Sequence, residues 1–223
     1  MTKELFIQAI VKYVCGLLII AALLFVPAGT LKFTNGWLFI ALLFIPMLLA
    51  GIVMVFKSPE LLKKRLNAKE NEEEQKTVLV LSAVMFLAAF IAAGLNFRFQ
   101  WLSLPHWAVT IGAVVFLLAY VMYAEVLREN AYLSRTVEVQ EDQKVIDTGL
   151  YGIVRHPMYA ATLFLFLSIG IVLGSPISFV ILLCYIPIIA RRMKNEEEVL
   201  EQGLAGYSDY KKRVKYKVIP FVW

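Results

Sequence analysis

Four long apolar runs occupy the N-terminal half of the chain, and short polar segments separate them. The runs are Phe6–Val26, Gly36–Phe56, Val78–Phe97 and Pro105–Val126. Because roughly 20 helical residues cross the hydrocarbon of a bilayer, each run predicts a transmembrane helix. The first run could also be a cleaved signal peptide, but no small-x-small cleavage pattern follows it. We therefore expect it to be the first span.

Two shorter apolar segments follow in the C-terminal half, at Pro157–Leu173 and Pro176–Ile189. Only Gly174 and Ser175 lie between them, and so short a link joins helices that run antiparallel. We expect a C-terminal helical hairpin. The whole pattern predicts an all-α, polytopic integral membrane protein with about six transmembrane helices.

Three polar stretches interrupt the apolar pattern. Lys57–Thr77 opens with a Ser-Pro-Glu sequence, which is typical of a helix start, and predicts a short helix along the membrane surface. Valine and isoleucine alternate with polar residues between positions 137 and 146, which predicts a small hairpin or extended pair. The tail, Arg191–Trp223, predicts a polar helix and then a basic, aromatic end. We expect that end to anchor at the membrane surface rather than to bind nucleic acid.

Composition and charge agree with a membrane protein and orient it. The chain is 60% hydrophobic, with a mean hydropathy of +0.72 and 17% charged residues, whereas soluble domains are about one-quarter charged. With six spans, all of the 22 lysines and arginines except Lys32 and Arg98 fall on one side. Loops rich in these residues face the cytoplasm. We therefore expect a multi-pass protein with both termini and the stretch after the fourth span in the cytoplasm.

Several common functional classes lack their sequence signatures. The chain contains no dinucleotide-binding G-x-G-x-x-G, no P-loop and no H-E-x-x-H. Its two histidines, His106 and His156, lie far apart in sequence, and both cysteines lie in apolar runs. A zinc site or a catalytic triad is therefore not expected. Nearly all spans also lack central ionisable residues, so a pump or ion pathway has little support.

The stretch from Val137 to Thr162 is the first candidate site. Glycines on both sides of Tyr151 allow a ligand to approach the backbone closely. Arg155 and His156 stand at the start of the fifth span, where Pro157 suits the first helical turn. The free N–H groups of such a helix start favour a carboxylate or phosphate. The alternative interpretation is an interfacial anchor in which Arg155 contacts lipid headgroups.

The second candidate lies on the tail helix. Arg192 and Glu196 are four residues apart, so their side chains share one helix face. They could form only a surface ion pair, which contributes little to stability. Alternatively, they offer a cation for an anionic substrate beside a carboxylate for ribose hydroxyls or an ammonium group.

At these two sites the chain resembles the isoprenylcysteine carboxyl methyltransferase family, relatives of the phospholipid N-methyltransferases. The family pattern G-P-Y-x-x-x-R-H-P-x-Y-x-G appears here as Gly149, Leu150 and Tyr151, then Arg155, His156, Pro157, Met158 and Tyr159. Its R-x-x-x-E-E-x-x-L pattern is matched by Arg192, Glu196, Glu197 and Leu200. Gly206, Tyr207, Tyr210, Val214 and Pro220 fit the family's usual ending. The resemblance covers roughly Asn130 to Trp223.

The resemblance implies that S-adenosylmethionine is bound here. The implied cofactor-binding residues are Gln143, Lys144, Val145, Ile146, Tyr151, His156, Pro157, Met158, Tyr159 and Glu196. It also implies a substrate contact at Arg192 and catalytic roles for Arg192 and His156. The sequence departs from the family at Leu150 and Ala161, which replace a proline and a glycine, and at Gln143, where the eukaryotic enzymes tend to have histidine.

The implied function is methyl transfer to a lipid-borne acceptor, foremost the carboxylate of an isoprenylcysteine-like substrate. A carboxylate is ionised at neutral pH and needs no base, whereas an amine must lose a proton, for which His156 is the nearby candidate. The alternatives are a phospholipid or small-lipid methyltransferase, an NADPH-dependent reductase of the sterol type, and a non-catalytic membrane protein. We expect one structural domain with two regions, a four-span region at 1–126 and a region at 127–223 that holds the cofactor-binding loop, hairpin and tail.

Overall fold

The structure is a computed structural model that describes residues 3–57, 62, 73–130, 132 and 139–223. These residues form helices and one short 3-10 turn, Gly149–Gly152, and no strand. The helices are α1 (Lys3–Ala28), α2 (Thr34–Lys57), α3 (Glu73–Phe99), α4 (His106–Glu129), α5 (Pro157–Val172), α6 (Pro176–Leu182), α7 (Tyr185–Gly203) and α8 (Tyr207–Arg213).

Among the residues that the structure describes, five stretches of helix are long and apolar enough to cross a membrane. They are Glu4–Ala28, Thr34–Phe56, Lys76–Phe99, His106–Glu129 and Pro176–Gly203. Helix α5 is shorter, with 16 residues, or about 24 Å at 1.5 Å per residue. The predicted all-α, multi-pass membrane architecture is confirmed, and α5 is the short first arm of the predicted hairpin.

The second arm of the hairpin differs from the prediction Pro176–Ile189. The helix is interrupted after Leu182 and then continues as α7 to Gly203. At the interruption the N–H of Cys184 donates to Ile181 at 3.1 Å, and that of Ile186 donates to Leu183 at 3.0 Å, both three residues back. Pro187 explains this tightening, because proline has no N–H for the carbonyl of Leu183 and its ring crowds that carbonyl.

Three connections meet at one end of the bundle. The guanidinium of Arg98 lies beside Gly29, and the amide of Asn35 lies beside Gly174. The N–H of Leu104 donates to the carbonyl oxygen of Gly174 at 3.4 Å. Gly174 has a φ of +69°, which glycine adopts without strain, and this permits the tight turn between α5 and α6. Since α5 runs from Pro157 to this end, its first residues lie at the opposite end of the bundle.

One hydrophobic core contains residues from both predicted regions. Phe39 and Phe116 from the first region and Leu182 and Met193 from the second are each less than 2% exposed. The division into 1–126 and 127–223 stays a prediction.

Two predicted surface elements lie partly or wholly outside the described residues. Of the stretch Lys57–Thr77, the structure describes Lys57 at the end of α2, Leu62, which is buried, and residues 73–77 at the start of α3, so most of the predicted surface helix lies outside the described residues. Val137 of the predicted hairpin is also outside. The described part of that hairpin, residues 139–146, contains a turn at 141–142 and no strand. The N–H of Gln140 donates to the side chain of Gln143 at 2.8 Å, so it is not available for a strand partner.

Replacing Gly170 with alanine is expected to destabilise the α5–α6 hairpin. A methyl group there would lie 2.5 Å from the backbone of Phe179, and overpacking of this kind costs about 1–3 kcal/mol. Thermal unfolding in detergent, followed by tryptophan fluorescence, measures the loss. The matched control is Gly51→Ala, because a methyl at Gly51 meets no described atom within 4 Å. Equal unfolding midpoints for the two variants would contradict close packing at Gly170.

Candidate functional site

A cleft lies where the 139–152 segment, the start of α5, α7 and the tail meet. The space between its walls is about 880 Å³, including its open mouth. All of the implied site residues line it, namely Gln143, Lys144, Val145, Ile146, Tyr151, His156, Pro157, Met158, Tyr159, Arg192 and Glu196. The structure therefore brings together two segments that are about 40 positions apart in the sequence.

The cleft has eight further lining residues that the sequence did not assign to the cofactor site. They are Asn130, Tyr132, Arg155, Val199, Leu200, Leu204, Tyr207 and Tyr210. Arg155, Leu200, Tyr207 and Tyr210 belong to the family motifs, which is the signal that could have identified them. Asn130, Tyr132, Val199 and Leu204 carry no such signal.

The dipeptide Arg155-His156 is held by the tail through its backbone. The N–H groups of Arg155 and His156 donate to the carbonyls of Tyr216 and Lys217 at 2.9 and 2.8 Å. One guanidinium nitrogen of Arg155 also donates to the carbonyls of Val214 and Lys215, each at 2.8 Å. Arg155 is 7% exposed. These contacts make Arg155 a structural link between α5 and the tail rather than a headgroup anchor.

Glu197 on α7 completes this link. One of its carboxylate oxygens accepts from Arg155 Nε at 2.8 Å and lies 3.1 Å from His156 Nε2. The other oxygen lies 3.3 Å from Lys217 Nζ and 3.7 Å from Lys211 Nζ. Glu197 is only 5% exposed, and its cationic and hydrogen-bonding neighbours favour the ionised carboxylate. The sequence placed it in a motif but gave it no role.

Glu196 points the other way, into the cleft. Its carboxylate accepts a hydrogen bond from the hydroxyl of Tyr159, and Arg192 Nε donates to the same hydroxyl at 3.0 Å. Tyr159 is buried, whereas Glu196 and Arg192 are half-buried. The two α7 residues predicted to share a face therefore meet through Tyr159 of α5.

Tyr151 forms another wall and is fixed at both ends. Its hydroxyl accepts from the Asn130 amide at 2.9 Å, and its carbonyl accepts from the Tyr210 hydroxyl at 2.8 Å. Burial raises the pKa of Tyr151 to about 12, although the hydrogen bond from Asn130 acts in the opposite direction and lowers it. The phenol is therefore protonated at neutral pH.

An apolar cluster at the end of α7 and in α8 forms the remaining wall. Its buried members are Leu204, Tyr207, Tyr210 and Val214, and Val139, Val145 and Leu200 pack against them. The hydroxyl of Tyr207 is buried and has no hydrogen-bond partner among the described residues. A buried polar group without a partner is uncommon in native proteins and calls for an explanation.

The residues present fit a cationic nucleoside ligand. Glu196 supplies negative charge at one side of the cleft, the α7–α8 cluster supplies an apolar wall, and the Tyr207 hydroxyl supplies an unused hydrogen-bonding group. Within the described part of the chain, no three His, Cys, Asp or Glu side chains converge as metal ligands would.

Comparison with known proteins finds similarity in both sequence and fold. Residues 106–205 match the phospholipid methyltransferase family. No curated protein sequence matches the chain. The fold is similar to the solved structure of a eukaryotic intramembrane Ras methyltransferase, isoprenylcysteine carboxyl methyltransferase, with a TM-score of 0.57 and 20% sequence identity. The similarity covers 94% of this chain and 75% of that one.

The matched region begins at His106, at the start of α4, earlier than the resemblance from Asn130 onward had indicated. It ends at Ala205, just after α7, and so contains both motifs. Both comparisons agree with the family resemblance: residues 106–205 of this multi-pass membrane protein match the phospholipid methyltransferase family, and its fold is similar to that of isoprenylcysteine carboxyl methyltransferase.

Proposed function

We propose that the chain is an S-adenosylmethionine-dependent methyltransferase that acts on a lipid-borne acceptor. The observation that carries the proposal is the single cleft in which His156, Tyr159, Arg192 and Glu196 meet. Within this cleft a carboxylate and a guanidinium share one tyrosine hydroxyl, so an acidic and a basic subsite lie side by side. That arrangement suits a cationic cofactor next to an anionic acceptor.

The implied residues have separate tasks toward the cofactor. When bound, S-adenosylmethionine supplies a methyl group activated by a sulfonium. Glu196 would bind the cofactor's ammonium group or ribose hydroxyls, and the segment from Gln143 to Ile146, which is mostly half-buried, would provide backbone and side-chain contacts. Tyr151 is already fixed by two hydrogen bonds and would position the cofactor without reorganisation.

Orientation supplies most of the catalysis in this proposal. Holding two reactants in an in-line arrangement removes a large part of the entropic cost of reaching the transition state. A carboxylate acceptor is ionised at neutral pH, so the site needs a cation to bind it and no base. Arg192 is that cation, held by Tyr159 at 3.0 Å. An isoprenylcysteine-like carboxylate is therefore the first candidate acceptor.

A phospholipid amine is the second candidate acceptor. The match of residues 106–205 to the phospholipid methyltransferase family favours it. An ammonium group must lose a proton before it accepts a methyl group, and the His156 imidazole lines the cleft. Glu197 lies 3.1 Å from His156 Nε2, so it orients the ring as carboxylates do in acid–base pairs.

The cleft lies at the end of the bundle opposite Lys32 and Arg98. By the distribution of positive charge, this end faces the cytoplasm. The water-soluble cofactor would enter there, while the acceptor would arrive from the membrane between helices. The same orientation places both termini in the cytoplasm.

Ligand-dependent thermal stability distinguishes the proposed methyltransferase from a reductase. S-Adenosylhomocysteine at a hundred times its Kd is expected to stabilise the purified protein by about 2.7 kcal/mol, because it binds only the folded state. The unfolding midpoint in detergent should rise by several degrees. NADPH at the same concentration should leave it unchanged. A rise with NADPH and none with S-adenosylhomocysteine would instead support the reductase.

The acceptor is identified by the chemistry of the product. The protein is incubated with methyl-labelled S-adenosylmethionine and either a prenylated cysteine or phosphatidylethanolamine in vesicles. Label lost in mild base indicates a methyl ester, and base-stable label indicates an N-methyl product. Cofactor binding without transfer to either acceptor would point to another lipid, and absence of cofactor binding would contradict the enzyme itself.

A further inference from the structure

Tyr207 and Tyr210 lie on the same short helix and line the same cleft, but their hydroxyls differ. Tyr210 donates to the carbonyl of Tyr151 at 2.8 Å and thereby supports the fold. The Tyr207 hydroxyl has no partner among the described residues, although Tyr207 is only 4% exposed. The fold thus leaves one buried hydrogen-bonding group unused at the wall of the cleft, at a cost that a bound ligand would relieve.

The surroundings of Tyr207 define what that ligand group is. Burial raises the pKa of Tyr207 well above its usual range, and the carboxylates of Glu197 and Glu196 raise it further. The phenol is therefore protonated and can donate. Leu200 and Leu204 line the cleft beside it. An apolar wall with one donor suits a flat heteroaromatic ring that carries acceptor nitrogens.

We infer that Tyr207 is a further cofactor-binding residue, whose hydroxyl donates a hydrogen bond to the nucleoside of S-adenosylmethionine at the wall formed by Leu200 and Leu204. The inference rests on the proposed function and adds a residue to its site. It assigns the charged amino-acid end of the cofactor to Glu196, one helical turn before Leu200 on α7. The two ends of the ligand are then held by residues of different character, one apolar and one charged.

Phenylalanine at position 207 isolates the hydroxyl, since the ring and its packing remain. Y207F is expected to bind S-adenosylhomocysteine about fivefold more weakly than the wild type in calorimetry, the loss of one neutral hydrogen bond. 5′-Methylthioadenosine, which lacks the amino-acid end, should lose affinity by the same factor when measured by displacement of S-adenosylhomocysteine. The unfolding midpoint of ligand-free Y207F should not fall, because the substitution removes no hydrogen bond to another described residue.

Y210F provides the contrast, because it removes the hydrogen bond to Tyr151 and should lower the midpoint of the ligand-free protein. Equal affinity of Y207F and wild type for both ligands would overturn the inference. A loss for S-adenosylhomocysteine alone would overturn the nucleoside assignment, and a lowered ligand-free midpoint of Y207F would show a structural role instead. If the wild type itself does not bind S-adenosylhomocysteine, the proposed function fails, and the failure does not depend on Tyr207.

Discussion

Replacing Glu197 with alanine is expected to lower the free energy of unfolding by about 3–5 kcal/mol, the usual cost of breaking a buried ion pair from one side. The carboxylate is 5% exposed and the Arg155 beside it is 7% exposed. Without Glu197, the positive charge of Arg155 would stay buried, and the carbonyls of Val214 and Lys215 would be its remaining side-chain partners among the described residues. The link between α5, α7 and the tail would weaken, and with it the position of His156.

Chemical unfolding in detergent measures this loss, and calorimetry with S-adenosylhomocysteine measures its effect on the cleft. Glu197→Gln keeps the shape of the side chain and an acceptor oxygen, so it should be intermediate in stability and should still fold well enough for the binding measurement. The control is Glu198→Gln, since Glu198 is 58% exposed and lies 3.9 Å from Lys194. Such a surface change is usually within about 0.5 kcal/mol of wild type. Wild-type stability of E197A would refute the proposed role of the buried carboxylate.

The helices could be predicted from sequence because a membrane leaves few alternatives. Backbone groups within lipid must be hydrogen-bonded inside their own segment, so a long apolar run can only be a helix. The first four spans and the short first arm of the hairpin follow from this rule alone. The interruption after Leu182 does not, because a proline in a transmembrane helix is often accommodated without a break. Pro46, for example, lies inside α2.

The candidate site was predictable from motifs, but its internal contacts were not. Adjacent residues on a helix point about 100° apart, so Glu196 and Glu197 cannot both face the cleft. The tail decides which of the two faces the cleft. Its carbonyls of Tyr216 and Lys217 hold Arg155 and His156 in the position where they contact Glu197, which leaves Glu196 toward the cleft. Contacts between residues 60 positions apart leave no periodic pattern in a sequence. The sequence pattern also does not distinguish Tyr207 from Tyr210. The Tyr210 hydroxyl has a partner because the Tyr151 carbonyl lies beside it, and the Tyr207 hydroxyl has none among the described residues.

The shared hydroxyl of Tyr159 divides the cleft into two functions that mutations should separate. Glu196→Gln removes the negative charge from the cofactor side and is expected to weaken S-adenosylhomocysteine binding about 10- to 100-fold, the range for a hydrogen bond to a charged group. Arg192→Ala removes the cation from the acceptor side. It should leave cofactor affinity within a few-fold of wild type, because Tyr159 still donates to Glu196, yet lower kcat/KM for a carboxylate acceptor about a hundredfold.

Calorimetry and initial rates with a prenylated cysteine measure the two effects on the same preparations. Arg192→Lys is a useful companion variant. Lysine keeps the positive charge, but it lacks the planar guanidinium, which can donate to Tyr159 and bind a carboxylate at the same time. We expect it to recover only part of the lost kcat/KM. If R192A loses cofactor affinity as severely as E196Q, Arg192 acts on the cofactor through Tyr159, and the acidic and basic residues of the cleft form one subsite instead of two. If R192A keeps full turnover with the carboxylate but E196Q does not bind cofactor, the carboxylate is held without Arg192, and the proposed basic subsite is wrong.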